Sequence, residues 1–148
     1  MFSQPQFTQK EIADLEQAYR DAVYGVYYYE QTIQLLIDRL SPKLDFILTK
    51  HHSTTWALIT AHNPYSQCLS PAENQQRHQD LVELLRSHNL TFFNAIGKDK
   101  DDLWTPEQSI FIVGIELEKA ISIGNKFQQN AIVVGEWGQR SKLIWLVG

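Results

Sequence analysis

From Trp56 onward, short apolar runs of strand length alternate with stretches of helical periodicity, and the order of these pieces leaves few folds open. Residues 56–61 form a compact apolar run bounded by polar loops, which suits a buried strand, and Asn63 and Pro64 stop it. Ser70, Pro71 and Glu73 supply an N-cap, a first-turn proline and a capping-box carboxylate, with Leu81, Leu84 and Leu85 following on one face. Residues 90–96 and 109–115 read as two strands around a polar loop, and residues 116–126 as a helix with Leu117, Ala120, Ile121 and Gly124 inward. Residues 131–137 and 142–147 read as strands joined by Gly138, Gln139 and Arg140, a connection suited to a hairpin.

Upstream, Thr8 and Glu11 make a second capping-box pattern, and Ile12, Leu15, Tyr19, Ala22, Val23 and Val26 recur at helical spacing. The reading is a helix over about 8–25, ending near Gly25 and packed on the rest. Residues 32–37 are expected as a strand, and Ser41 with Pro42 opens a short helix carrying Leu44, Ile47 and Leu48. The whole order is α-β-α-β-α-β-β-α-β-β. It predicts an α+β fold, with residues 1–148 as a single globular domain and a mixed or mainly antiparallel sheet covered by helices. Its β-α-β-β-α-β portion is compatible with a split βαβ unit.

The formal net charge is −4 and the Lys and Arg residues are scattered singly, so no basic stripe for a phosphate backbone is present. This argues against duplex DNA as a partner. Single-stranded nucleic acid is disfavoured by the same acidic balance, because stacking aromatics there normally line a positive groove. One cysteine, Cys68, cannot close an intrachain disulfide, which fits a reducing compartment. The polar N-terminus lacks a signal-peptide core, and no apolar run approaches the roughly 20 residues of a membrane span. Cytoplasmic location and no membrane association are the expectations.

Three polar clusters carry the candidate chemistry. The loop containing Thr60, His62, Asn63, Pro64, Tyr65 and Ser66 follows a strand end, where open sheets commonly place ligands, and the next helix begins with Glu73, Asn74 and Arg77. First-turn amides together with Arg77 suit an anion, although Glu73 equally serves as a cap and as an i,i+4 partner of Arg77. Trp104, Pro106, Glu107 and Ser109 precede a strand, offering an aromatic face and a carboxylate that burial could turn into a base. Phe127, Gln128, Gln129 and Asn130 lie at the turn from the last helix. Glu107 and Glu73 are the catalytic candidates, and Asn63, Ser66, Asn74, Arg77, Trp104 and Gln129 the ligand-binding ones. The five histidines fall into no ligand spacing, so no metal site is expected, and no Gly-rich phosphate loop or other cofactor signature is present.

The combination of Ile59-Thr60-Ala61, Asn63-Pro64, Glu73-Asn74 with Arg77, Trp104 with Glu107 and Ser109, and Phe127 with Gln129 and Ala131 resembles a small bacterial family catalogued as domain of unknown function 3293. The resemblance runs from about Tyr19 to the last strand. It implies no activity, substrate or cofactor, but it marks the same three clusters and so implies that Asn63, Glu73, Asn74, Arg77, Glu107 and Gln129 converge. Two functions stay open. One is a polar pocket for a small anionic or nucleotide-like ligand, with or without catalysis. The other is a protein-interaction module or homo-oligomer that uses Tyr24, Tyr27, Tyr28 and Tyr29 or the C-terminal strand as a docking edge.

Overall fold

The computed structural model describes residues 2–147. Helix α1 spans Gln9–Asp21, and Thr8 caps it through the capping box with Glu11. It ends four residues sooner than the sequence reading placed it. Ala22 leaves the helix with an extended backbone, and residues 23–28 form strand β1 (Val23–Tyr28), which pairs with β2 (Gln31–Leu35) in a hairpin. From Ala22 onward the apolar residues fit two periods at once. Ala22, Tyr24 and Val26 are all buried at strand spacing, and pairing with neighbouring strands decides the matter.

Helix α2 (Pro42–Lys50) starts on the Ser41 cap and buries Leu44, Ile47 and Leu48. Strand β3 (Thr55–Ile59) is followed by the 3-10 turn Pro64–Ser66 and then by α3 (Pro71–Ser87), whose Ser70–Glu73 capping box forms as expected. Strands β4 (Thr91–Lys98) and β5 (Glu107–Val113), helix α4 (Leu117–Lys126) and the hairpin of β6 (Ala131–Glu136) with β7 (Lys142–Trp145) complete the order. The fold is α+β, and apart from the added β1 the elements come in the expected sequence.

All seven strands join one sheet in the order β2-β1-β4-β5-β3-β6-β7, and every described pairing is antiparallel. Within it, β3-α3-β4-β5-α4-β6 places β5 between β4 and β3, with β6 outside β3. That is the split βαβ arrangement. Strand alternation sorts the core into two layers. Ala57, Ile59, Ile110, Ile112 and Ile132 face α3 and α4, where Leu81, Leu85, Ala120, Ile123 and Phe127 meet them. Trp56, Leu58, Phe111, Val113 and Val133 face the other way, toward α2 and the β1–β2 hairpin. Gly135 is required on this second face because the Trp56 ring lies against it, within 2.4 Å of where a Cβ would stand. None of the described helices is long and apolar enough to cross a membrane.

Candidate functional site

The loop after β3 carries backbone strain without glycine. Asn63, Tyr65 and Ser66 have φ of 49°, 48° and 63°, all in the left-handed region. Such residues cost up to about 1–3 kcal/mol each and persist only where their surroundings fix them. Here the surroundings are specific hydrogen bonds. The Asn63 amide donates to Asn74 Oδ1 at 2.9 Å, while Asn63 Oδ1 accepts from Asn74 Nδ2 at 2.9 Å and from the Leu69 amide at 3.1 Å. The Tyr65 amide donates to the Gln128 carbonyl at 2.7 Å. Thr60 Oγ1 donates to the Gln108 carbonyl at 2.6 Å and accepts from the His62 amide, tying the loop to the start of β5.

What this scaffold presents is Glu107. Asn63 Nδ2 donates to Glu107 Oε2 at 2.7 Å. Burial pushes the Glu107 carboxyl above its ordinary range, and the Asn63 hydrogen bond pulls it back in part. By strand parity Glu107 shares a face with Ser109 and Phe111, so it points to the α1 side of the sheet. There a cavity of about 320 Å³ opens between α1 and the ends of β3, β5 and β6. Leu15, Ala18 and Tyr19 of α1 form one wall, Leu58, Val133 and Leu143 the floor, and Trp104 with Thr105 part of the rim. The size falls in the range of small-molecule sites, which are mostly apolar with a few placed polar groups.

The expected residues separate into three kinds. Asn63, Ser66, Trp104, Glu107 and Gln129 line the cavity. Asn74 is buried behind it and reaches it only by holding Asn63. Arg77 and Glu73 lie elsewhere. Expected to hold an anion, Arg77 instead donates through Nε to the Ala61 carbonyl at 2.6 Å and through Nη2 to the Phe127 carbonyl and Gln128 Oε1, stapling the β3 loop to the turn after α4. Those carbonyls end a strand and a helix and have lost their regular partners, so a cation with several donors is their best substitute. Glu73 is exposed, and its carboxylate accepts from the Ser70 amide at 3.2 Å in the capping box. Helix-end chemistry accounts for it fully.

Two further members of the site lie outside the three polar clusters. Tyr19 and Tyr24 bring hydroxyls to the cavity, and burial raises the pKa of both. Asn130 Nδ2 donates to Tyr19 Oη at 3.2 Å and to Ser66 Oγ at 2.8 Å, joining α1 to the strained loop. Tyr19 was legible only as one position of an apolar helix stripe, and Tyr24 only once β1 is recognised. Of the tyrosines expected as a surface, Tyr24 is buried and Tyr28 packs edge-to-face on Phe93, whereas Tyr27 and Tyr29 remain exposed. On the opposite side of the loop, the His62 and His78 rings meet edge-to-face with centroids 6.2 Å apart, and burial lowers both pKa values. Among the described residues no group of three or more His, Cys, Asp and Glu is arranged to hold a metal ion.

No curated protein and no solved structure matches this chain. A family model described as "Protein of unknown function (DUF3293)" matches residues 59–132, half of the 148 residues. That stretch runs from the end of β3 into β6 and so contains the strained loop, Asn74, Arg77, Glu107 and Gln129. The chain belongs to this family.

Proposed function

We propose that this domain binds a small molecule in the cavity under α1, with Glu107 as its principal polar anchor. The observation that carries the reading is the pairing of that cavity with a half-buried carboxylate held by a strained, non-glycine loop. Strain of this sort is kept where a site needs a fixed geometry. Trp104 at the rim offers a face for a planar group, and Ser66 and Gln129 supply further hydrogen-bonding atoms. If the ligand is turned over, Glu107 is the base, since its raised pKa moves it toward the range in which proton transfer is efficient. A bacterial cytoplasm is the compartment that goes with this reading, and the unpaired Cys68 is in keeping with it.

A thermal-shift screen of the intact chain against nucleotides, amino acids, amines and organic acids tests the proposal, because a ligand that binds only the folded state raises the apparent stability. We expect a hit that is lost in Ala18→Trp, which fills the cavity from an exposed helix position. Hits that survive both Ala18→Trp and Glu107→Gln undiminished would refute it.

An interaction role draws on different residues. Tyr29 is 77% exposed, Tyr27 41% and Phe46 56%, and β2 and β7 are the two edge strands of the sheet. Large exposed aromatics and free edges are common at interfaces. Size-exclusion chromatography that shows only monomer would count against self-association through them.

A further inference from the structure

We propose that the cavity selects a ligand bearing a protonated amine, amidine or similar N–H donor group on an apolar or aromatic body, and rejects the corresponding carboxylate or phosphate. This rests on the cavity reading above and adds to it the chemical class of the ligand. The first ground is charge. Glu107 is the acidic residue of the lining, and none of the described lining residues is Lys, Arg or His. Arg77, the cation expected in the site, spends Nε and Nη2 on the Ala61 carbonyl, the Phe127 carbonyl and Gln128 Oε1, and is not part of the lining. An anion entering here would meet a carboxylate in a partly desolvated space with no counter-charge.

The second ground is the hydrogen-bond inventory. Both amide hydrogens of Gln129 are used, on the His62 carbonyl at 3.0 Å and the Phe127 carbonyl at 3.1 Å, so what it has left for a ligand is an oxygen. The Thr60 hydroxyl hydrogen is committed to the Gln108 carbonyl and that of Ser109 to the Glu107 carbonyl. Glu107 Oε2 is taken by Asn63, which leaves Oε1 as an acceptor. The Tyr19 and Ser66 hydroxyls both accept from Asn130 and also bond to each other, so what they offer a ligand is neutral and too little to neutralise an anion. Every donor among the described lining residues is neutral, and the strongest acceptor is ionisable. A donor-bearing cation answers both features, because charge-assisted hydrogen bonds to a carboxylate are about twice as strong as neutral ones.

The third ground is the wall. Leu15, Leu58, Val133 and Leu143 surround the polar group with apolar surface, and Trp104 stands at the rim. A bare inorganic cation would leave that surface unused, whereas an aromatic amine covers it and places its nitrogen at Glu107.

The test is a matched probe series of one ring system and three charges, namely tryptamine, indole-3-acetamide and indole-3-acetate, titrated calorimetrically into the intact protein at neutral pH. The expected order is amine, then amide, then acid, with roughly tenfold between first and last. Glu107→Gln should flatten that order while the amide still binds, and Ala18→Trp should abolish binding of all three. Indole-3-acetate binding as tightly as tryptamine, or an order that Glu107→Gln leaves intact, overturns the proposed ligand class and leaves the cavity reading standing. Failure of all three at millimolar concentration, together with no hit in the thermal-shift screen, overturns the cavity reading and this inference with it.

Discussion

The two faces of the sheet are covered by helices in different ways. On one face α3 and α4 press down fully. Leu81 and Leu85 are without exposure, Ala120 likewise, and Ile123 is 5% exposed. On the other face α2 packs in the same manner at one end, but α1 contributes no buried residue at all and spans an opening. Beside the Asn130–Tyr19 hydrogen bond, its lateral ties include surface ion pairs, Arg20 with Asp38 and Lys100 with Asp21, of the kind worth at most about 1 kcal/mol each. A single sheet thus uses its apolar side chains for stability on one side and as the floor of a cavity on the other. The difference teaches that the site lies where a helix bridges the sheet instead of packing into it.

The contrast breaks if the two coverings prove energetically alike. Leu81→Ala on the closed face should cost about 2–5 kcal/mol, the range for deleting a buried leucine side chain. Leu15→Ala on α1 should cost under about 1 kcal/mol, since the residue is only half-buried against open space. Urea denaturation of both variants checks this, and similar losses would mean that α1 is as much a part of the core as α3. The next effect in size belongs to Arg77, where the loop after β3 is joined to the turn after α4. Arg77→Lys keeps the charge but cannot serve three oxygens with a planar fork, so a loss of about 2 kcal/mol is expected. The ordering of the indole probes should not change. A stable Arg77→Lys variant with altered ligand charge preference would return Arg77 to the site.

How far this was legible in the sequence differs between the same two faces. The α3/α4 side could be read almost whole, because Ser70, Pro71 and Glu73 announce a helix start and the apolar runs on either side have lengths that only one element type fits. The cavity side was harder. The segment from Ala22 to Val26 satisfies helical and strand spacing together, and pairing with β2 and β4 selects the strand. Within the site, Asn63, Glu107 and Gln129 stood out as polar residues at element ends. Their neighbours Arg77 and Glu73 stood out for the same reason, yet they serve backbone groups. Sequence marks which polar residues are concentrated near strand and helix ends. It does not say whether each faces a ligand or an orphaned carbonyl, because that choice depends on side-chain direction set by tertiary packing.

Glu107 provides a sharper form of the comparison through pH. Burial raises its pKa, so the folded chain holds the Glu107 proton more tightly than the unfolded chain does, and ionising it costs the folded state. That cost is absent below the unfolded carboxylate pKa, grows as pH rises through the folded value, and is constant above it. Glu107→Gln keeps an acceptor for Asn63 and removes the charge. Its melting temperature should therefore exceed that of the wild type at neutral pH and converge with it on acidification, even as amine binding falls. A variant that is less stable than the wild type at neutral pH would show that the carboxylate is a structural group of this face.

The smallest effect is expected at Glu73, and it decides between the two carboxylates singled out in the sequence. Its side chain closes the capping box of α3 on the exposed rim of the packed face, so Glu73→Ala should lower stability by about 0.5–1 kcal/mol and leave probe binding unchanged. Chemical denaturation measures the first quantity and calorimetry with tryptamine the second. Binding lost with the fold intact would mean that the site reaches round the start of α3, and the separation of a packed face from a binding face would have to be redrawn through that helix terminus.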